Sequence, residues 1–212
     1  MNKNFDLRLY LITDSTGLDD NSFLRICEEA LKGGVTMLQL REKYLSSGDF
    51  YKRAMELKKL TDKYNVPLII NDRVDIALAV KALGVHLGQD DLPINIARDI
   101  LGPDAIIGCT AKTEEQGLRA KTDGADYIGS GAMYASGTKE DAKVTPIEVI
   151  DNIKRVSGLP VVAIGGLNKD NLEILRGSKV SGISLSGGIM KAFNPKIEAE
   201  LLLNKVNDVL CY

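Results

Sequence analysis

Short runs of apolar residues alternate with longer amphipathic stretches from one end of the chain to the other. Each run is apolar at nearly every position, which is typical of a strand buried on both faces of a parallel sheet. The pattern predicts eight strands, over residues 8–13, 36–41, 68–71, 84–88, 105–109, 126–129, 161–164 and 182–185.

The stretches between these runs have the spacing of amphipathic helices. In the first stretch, one helical face carries Phe23, Ile26, Cys27, Ala30 and Leu31. In the second, the same spacing selects Phe50, Ala54, Leu57 and Leu60. We therefore expect a helix in each connection between successive strands.

Several of these stretches begin with a helix start signal. Thr113, followed three residues later by Gln116, has the form of a capping box. Pro146 and Pro195 stand where a first helical residue is expected, and Asn194 precedes the second of them as an N-cap.

Strands alternating with helices, without a linker or a shift in composition, favour a single α/β domain over residues 1–212. We expect a closed (β/α)₈ TIM barrel, for which 212 residues lie near the short end. A doubly wound open sheet is the alternative, because strand order cannot be read from the pattern.

Composition narrows the class of protein. The net charge of −2 provides no basic field for nucleic acid, so we expect no nucleic-acid partner. The apolar runs are too short to cross a bilayer, and the N-terminus lacks the apolar core of a signal peptide. Three scattered cysteines have no metal-type spacing. We expect a cytoplasmic protein without membrane contact; whether it forms a homo-oligomer stays open.

Charged residues follow the predicted strands at their carboxyl ends, where a barrel carries its chemistry. Asp72 and Asp91 lie in neighbouring loops, and Arg41, Lys43 and Lys139 belong to the same rim. Mg²⁺ prefers one or two carboxylates together with phosphate oxygens and water. Either aspartate alone would also fit a loop or a helix cap. Together with the cations they indicate a site where a polyphosphate departs.

Two glycine-containing turns follow the seventh and eighth strands. They are Gly165-Gly166 and Ser186-Gly187-Gly188. Backbone N–H groups of such turns can close on an anion, and phosphate sites recur at these two positions in barrels. The two turns together predict a phosphate-binding site.

His86 is the only histidine and lies within the predicted fourth strand. A packed structural role is the preferred interpretation. A single histidine cannot form a histidine-rich metal site, and no serine triad is expected.

With these residues identified, the chain resembles the thiamine phosphate synthase family, and the likeness runs nearly end to end. The segments that carry it, in the family's order, are residues 39–43, 71–72, 84–91, 137–139 and 164–166. Five segments in order are far more specific than any one of them.

The resemblance implies a transferase of thiamine biosynthesis. It implies that hydroxymethylpyrimidine diphosphate condenses with hydroxyethylthiazole phosphate by a dissociative, Mg²⁺-dependent substitution, giving thiamine phosphate and pyrophosphate. It assigns the metal to Asp72 and Asp91 and catalytic roles to Arg41, Lys43, Thr110 and Lys139. It assigns substrate binding to Gln39, Arg41, Lys43, Asn71, Thr110, Ser136, Thr138, Lys139, Gly166, Ser186 and Gly187.

Thr110 replaces the serine usual in the family but keeps the hydroxyl. Three other classes of protein are alternatives to this family. A related thiazole tautomerase needs a histidine shortly after the fifth strand, where this chain has Thr110, Ala111 and Lys112. Another sugar-phosphate barrel would not need both aspartates. A silent ligand-binding barrel would have no reason to place a carboxylate pair opposite three cations.

Overall fold

Eight parallel strands, each hydrogen-bonded to the next along the chain, form the centre of the computed structural model, which describes residues 5–134 and 144–212. The first strand also pairs with the last, so the sheet closes into a barrel. The strands are β1 Leu9–Ile12, β2 Met37–Leu40, β3 Leu68–Asn71, β4 Gly84–Leu87, β5 Ile106–Thr110, β6 Tyr127–Gly131, β7 Val161–Ile164 and β8 Ile183–Leu185. The predicted strands and the (β/α)₈ barrel are confirmed, and the open sheet is excluded.

The α-helices of the described ranges pack around this barrel. They are α1 Asp20–Lys32, α2 Ser47–Lys63, α3 Val74–Val80, α4 Ile94–Leu101, α5 Glu114–Thr122, α6 Ile147–Ser157, α7 Gly187–Met190 and α8 Pro195–Leu210. Their order interleaves with the strands except between β7 and β8.

The β7–β8 connection contains a 3₁₀ turn, Leu172–Leu175, so the expectation of a helix in every connection is wrong there. The residues before the turn use side chains to bind the local backbone. Asn168 N–H donates to Asn171 Oδ1 at 2.8 Å, and Asp170 N–H donates to Asn168 Oδ1 at 2.9 Å. Such local bonds compete with the helical hydrogen bonds of the first turn.

The predicted apolar face of α1 is buried at all five positions. On α2, Leu60 is only partly buried, and the neighbouring Thr61 is buried instead. The Thr61 hydroxyl donates to the Lys58 carbonyl at 3.1 Å, which satisfies its polar group inside the protein.

The helix start signals are confirmed at Thr113 and Asn194, and at Pro146 the helix begins one residue later than predicted. Gln116 N–H donates to Thr113 Oγ1 at 3.2 Å, and Ile197 N–H donates to Asn194 Oδ1 at 3.2 Å. Pro146, however, is the cap of α6 and not its first helical residue, because its carbonyl accepts from the first N–H groups of the helix.

Two apolar layers surround the strands. The larger lies between strands and helices. The smaller fills the barrel interior, and its buried members are Leu7, Tyr10, Met37, Ile69, Ile106, Tyr127 and Val162. Tyr10 and Tyr127 belong to this interior cluster and place two hydroxyl groups inside the barrel. In residues 5–134 and 144–212, no helix has the length and apolarity needed to span a bilayer.

Candidate active site

The carboxylate of Asp72 connects the ends of β2 and β3. Its Oδ2 atom lies 2.5 Å from Lys43 Nζ, and its Oδ1 accepts from Asn71 Nδ2 at 2.7 Å. The Asp72 backbone is left-handed, with φ of 60°, and its N–H donates to the His86 carbonyl at 3.0 Å. For a non-glycine residue this conformation is unfavourable by a free energy of order 1–2 kcal/mol, so the surrounding contacts must hold Asp72 in place.

Asp91 faces Asp72 from the loop after β4. Its Oδ2 accepts from Gly88 N–H at 2.6 Å. Burial raises the pKa of the Asp91 carboxyl, and hydrogen bonding and charge from Asp72 raise it further, against the lowering effects of the Gly88 N–H and of Lys43. The fold therefore brings together the acid pair and one of the cations predicted to accompany it.

Arg41 follows the last residue of β2. Its N–H donates to Thr13 Oγ1 at 3.1 Å, whereas its guanidinium forms no ion pair within the described part of the chain. Hydrogen bonds from Thr16, aided by the charges of Lys191 and Arg41, lower the pKa of Asp14. Arg41 thus lies on the β1 side of the rim with a second cation, Lys191, that sequence reasoning missed.

Gln39 was predicted to bind substrate, and the structure places it below the rim. The side chain is only 2% exposed, and Nε2 donates to the Tyr10 hydroxyl at 2.6 Å. Register explains this depth, because Gln39 is a strand residue paired with Ile69.

Thr110 ends β5, and its hydroxyl lies 3.1 Å from His86 Nε2. Burial lowers the pKa of His86 to about 4, with Asp91 opposing, so the ring is neutral near pH 7. The packed position expected for His86 is confirmed, but its two ring nitrogens both face hydroxyl groups.

The glycine turns lie at the ends of β7 and β8, as predicted. Gly166 has φ of 67°, and a Cβ there would lie 2.6 Å from Tyr134 Cβ, so only glycine fits without a shift. Asn171 Nδ2 donates to the Gly166 carbonyl at 2.9 Å and steadies the turn.

The second turn begins a short helix. Ser186 is the cap residue of α7 and makes no side-chain cap hydrogen bond, while Gly187 is the first helical residue. The Ser186 carbonyl accepts from Ile189 N–H at 3.1 Å and from Met190 N–H at 3.0 Å. The first N–H groups of such a turn have no partner within the helix.

Ser136, Thr138 and Lys139, the remaining predicted site residues, lie outside the described residues.

Glu42 is a buried carboxylate that sequence reasoning did not assign. Its side chain is 4% exposed and accepts from Arg53 Nη1 at 2.8 Å and from Ser15 Oγ at 2.8 Å. Alternation could have revealed it. If Gln39 faces the interior, Glu42 falls on the opposite side of the chain, toward the helices.

No group of three or more histidine, cysteine, aspartate or glutamate side chains with metal-site geometry occurs in the described ranges. The acid pair fits a hard cation that takes its remaining ligands from substrate phosphate and water. Burial, and after it the opposed Asp72 carboxylate, raise the pKa of Asp91, and the Lys43 ammonium already lies against Asp72. Both observations mark a position that favours positive charge.

A closed barrel with a carboxylate pair on one side of its C-terminal rim and glycine turns on the other defines the class of (β/α)₈-barrel enzymes. Comparison with known proteins then gives the family. The sequence pattern of the family described as thiamine monophosphate synthase matches residues 9–189. The chain belongs to this family.

Individual relatives agree over nearly full length. The chain is 48% identical to the thiamine-phosphate synthase of Clostridium tetani over 207 residues, 98% of this chain and 99% of that protein. It is 51% identical to that of Caldanaerobacter subterraneus over 198 residues, 93% of this chain and 91% of that protein. The structure of a thiamine phosphate pyrophosphorylase from Pyrococcus furiosus superposes with a TM-score of 0.86 at 38% identity, covering 99% of this chain and 98% of that one.

Proposed function

We propose that this protein is a thiamine phosphate synthase. It condenses hydroxymethylpyrimidine diphosphate with hydroxyethylthiazole phosphate and releases pyrophosphate. The observation that carries the proposal is the grouping of Lys43, Asn71, Asp72 and Asp91 at the ends of β2, β3 and β4, in a family whose named members carry this activity.

The diphosphate of the first substrate binds on the β2–β4 side of the rim. Arg41 supplies a guanidinium free of ion pairs within the described residues, and Lys43 exchanges its contact with Asp72 for a phosphate oxygen. Lys139 adds a third cation to the same leaving group. Concentrated positive charge stabilises the negative charge that develops as the C–O bond breaks.

Asp72 and Asp91 hold Mg²⁺ in this proposal. When bound, the ion acts as a Lewis acid on the diphosphate oxygens. Asn71 and the Gly88 N–H orient the two carboxylates. This orientation is the contribution that the protein makes to the metal position.

The substitution needs no general base. The C–O bond of the pyrimidine substrate breaks, its electron pair leaves with pyrophosphate, and the aminopyrimidine ring stabilises the resulting cation. The thiazole nitrogen then supplies its lone pair to the same carbon, giving the thiazolium product. Charge and atoms balance without proton transfer, so the protein mainly positions two partners.

The acceptor phosphate binds across the barrel mouth. In the proposal, backbone N–H groups near Gly166 and at the Ser186–Gly187 turn bind this phosphate, and Ser136 and Thr138 complete the site. We place the enzyme in the cytoplasm.

One assay tests the proposal. Purified protein is mixed with both substrates and Mg²⁺, and thiamine phosphate and pyrophosphate are measured. We expect both products in equal amounts, and Lys139→Ala or Thr110→Val should reduce the rate with the fold intact. Absence of product at saturating substrates overturns the proposal. Conversion of a thiazole phosphate isomer alone would instead indicate a tautomerase.

A further inference from the structure

A chain of hydrogen bonds crosses the barrel interior from β2 to β5. Gln39 Nε2 lies 2.6 Å from the Tyr10 hydroxyl, which lies 2.8 Å from the Tyr127 hydroxyl. Tyr127 lies 3.1 Å from His86 Nδ1, and His86 Nε2 lies 3.1 Å from Thr110 Oγ1. The two ends of this core chain, Gln39 and Thr110, are residues that the resemblance to the thiamine phosphate synthase family assigns to substrate binding.

The interior is shaped around the core chain. A Cβ at Gly108 would lie 2.0 Å from Tyr127 Cζ, and a Cβ at Gly129 would lie 3.1 Å from His86 Cε1. Tyr10 and Tyr127 are 1% and 0% exposed, so their hydroxyls cannot turn to bulk water. Burying polar groups in this way is costly unless every one is paired.

The donor at one end sets the direction of each bond. The Gln39 amide nitrogen can only donate, so the Tyr10 oxygen accepts. Ser184 lies opposite Tyr10 in register, but its hydroxyl has no partner within the described residues, so Tyr10 donates to Tyr127. Tyr127 then donates to His86 Nδ1.

The direction of the last hydrogen bond, between His86 and Thr110, follows from the tautomer of the His86 ring. A neutral imidazole that accepts at Nδ1 carries its hydrogen on Nε2. His86 Nε2 therefore donates to Thr110 Oγ1. The Thr110 hydroxyl oxygen accepts this hydrogen bond from the barrel interior. The hydroxyl hydrogen of Thr110 can therefore be donated to an acceptor at the barrel mouth.

We propose that the core chain, with Tyr127 at its centre, positions the Gln39 amide and the Thr110 hydroxyl for the diphosphate-bearing substrate. Tyr10, Tyr127 and His86 are positioning residues in this scheme and need not touch substrate. The inference deepens the proposed function and rests on it for the identity of that substrate.

The tautomer of His86 gives a test independent of activity. His86 is the only histidine, so the imidazole ¹⁵N spectrum of the labelled protein reports one residue. We expect neutral His86 with hydrogen on Nε2 at pH 7. Tyr127→Phe, or Tyr10→Phe if that variant does not fold, should give a mixture of tautomers. A ring with hydrogen on Nδ1 in the unmodified protein overturns the assigned direction.

Kinetics test the positioning role. Tyr127→Phe should lower kcat/KM for the pyrimidine diphosphate by about tenfold, the worth of one or two hydrogen bonds. The KM for thiazole phosphate, measured with the pyrimidine substrate saturating, should stay unchanged. An equal loss for both substrates would mean general loosening of the barrel and would overturn the proposal.

A double-mutant cycle separates the core chain from the site. In a Thr110→Val background, Tyr127→Phe should reduce kcat/KM by clearly less than it does in the unmodified protein, because one of the two groups that it positions is gone. If the effects of the two substitutions on kcat/KM are fully additive, Tyr127 and Thr110 are not coupled, and the proposal is overturned. Tyr64→Phe is the matched control, since it removes a tyrosyl hydroxyl that donates to Glu28 Oε1 at 3.0 Å far from the mouth.

The two proposals fail in different ways. If the unmodified protein makes no product while the ring spectrum is as expected, the synthase assignment fails and the core chain stands. If product forms but Tyr127→Phe changes neither the tautomer nor kcat/KM, the core chain fails and the synthase assignment stands.

Discussion

Lys43 Nζ lies 2.5 Å from Asp72 Oδ2, which joins the end of β2 to the end of β3. The lysine side chain is 42% exposed and that of the aspartate 24% exposed, so the pair faces the mouth and adds little to stability. Both members of the ion pair can therefore change partner. Asp72 can bind a divalent cation, and Lys43 can bind a phosphate oxygen.

Asp72→Asn should abolish most of the turnover while preserving the fold. The amide keeps the shape but loses the charge that attracts both Lys43 and the cation, so we expect at least about a hundredfold loss in kcat. The measurement is pyrophosphate release across a Mg²⁺ titration, with circular dichroism for the fold. Asp75→Asn is the control, because Asp75 lies nearby in the first turn of α3 and pairs there with Arg73 at 2.5 Å. Similar losses in the two variants would contradict the metal assignment.

Gly166→Ala should weaken both the fold and the acceptor site. The methyl group would meet Tyr134 Cβ at 2.6 Å in a turn that already has φ of 67°. Gly158→Ala is matched to it, since Gly158 has the same φ of 67° with nothing within 4 Å of an added Cβ. We expect Gly158→Ala to cost about 1 kcal/mol in the free energy of unfolding and Gly166→Ala at least about 2 kcal/mol. Urea unfolding measures both. The KM for thiazole phosphate should rise only in Gly166→Ala.

Glu42→Ala should destabilise the protein by about 2–3 kcal/mol. The substitution leaves the Arg53 guanidinium, only 13% exposed at its side chain, without its buried partner. Glu56→Ala removes the exposed pair with Lys59 on the same helix and should cost less than about 0.5 kcal/mol. Denaturant titration compares the two directly. Equal small losses would show that the Glu42 pair has no net structural role.

Thiol labelling should separate the three cysteines by burial. Cys27 and Cys109 are buried, which raises the pKa of each thiol to about 12. Because only the thiolate attacks, their reactive fraction at pH 8 is on the order of 10⁻⁴ before access is considered. Ellman's reagent should therefore modify one thiol per folded chain quickly and all three after unfolding. Cys211→Ser should remove the fast reaction, since Cys211 is exposed. Two fast thiols would contradict the packing of β5 or α1.

The sequence predicts those parts of this protein that depend on local pattern. Apolar runs identified every strand, because a strand buried on both faces is apolar at most of its positions. The buried face of α1 and the caps at Thr113 and Asn194 could also be predicted from the sequence, since they depend on residues within one or two helical turns. Polar residues at strand ends indicated Asp72 and Asp91 for the same reason.

Other features depend on contacts between distant segments. Closure of the barrel requires β1 to pair with β8, about 170 residues away along the chain. The 3₁₀ turn at Leu172–Leu175 replaced an expected helix because asparagine side chains took the backbone bonds. The burial of Glu42 against Arg53 depended on how α2 packs over the barrel.

Gln39 shows where the division falls. The apolar pattern alone predicts that an amide lies near the end of β2 and that a lone histidine lies in β4. That Tyr10 and Tyr127 join them follows from the closed barrel and not from the pattern. Four strands must close around one axis before their hydroxyl, amide and imidazole groups come within hydrogen-bond distance. Periodicity fixes which way a side chain points from its own strand, whereas barrel closure and register fix what it meets there.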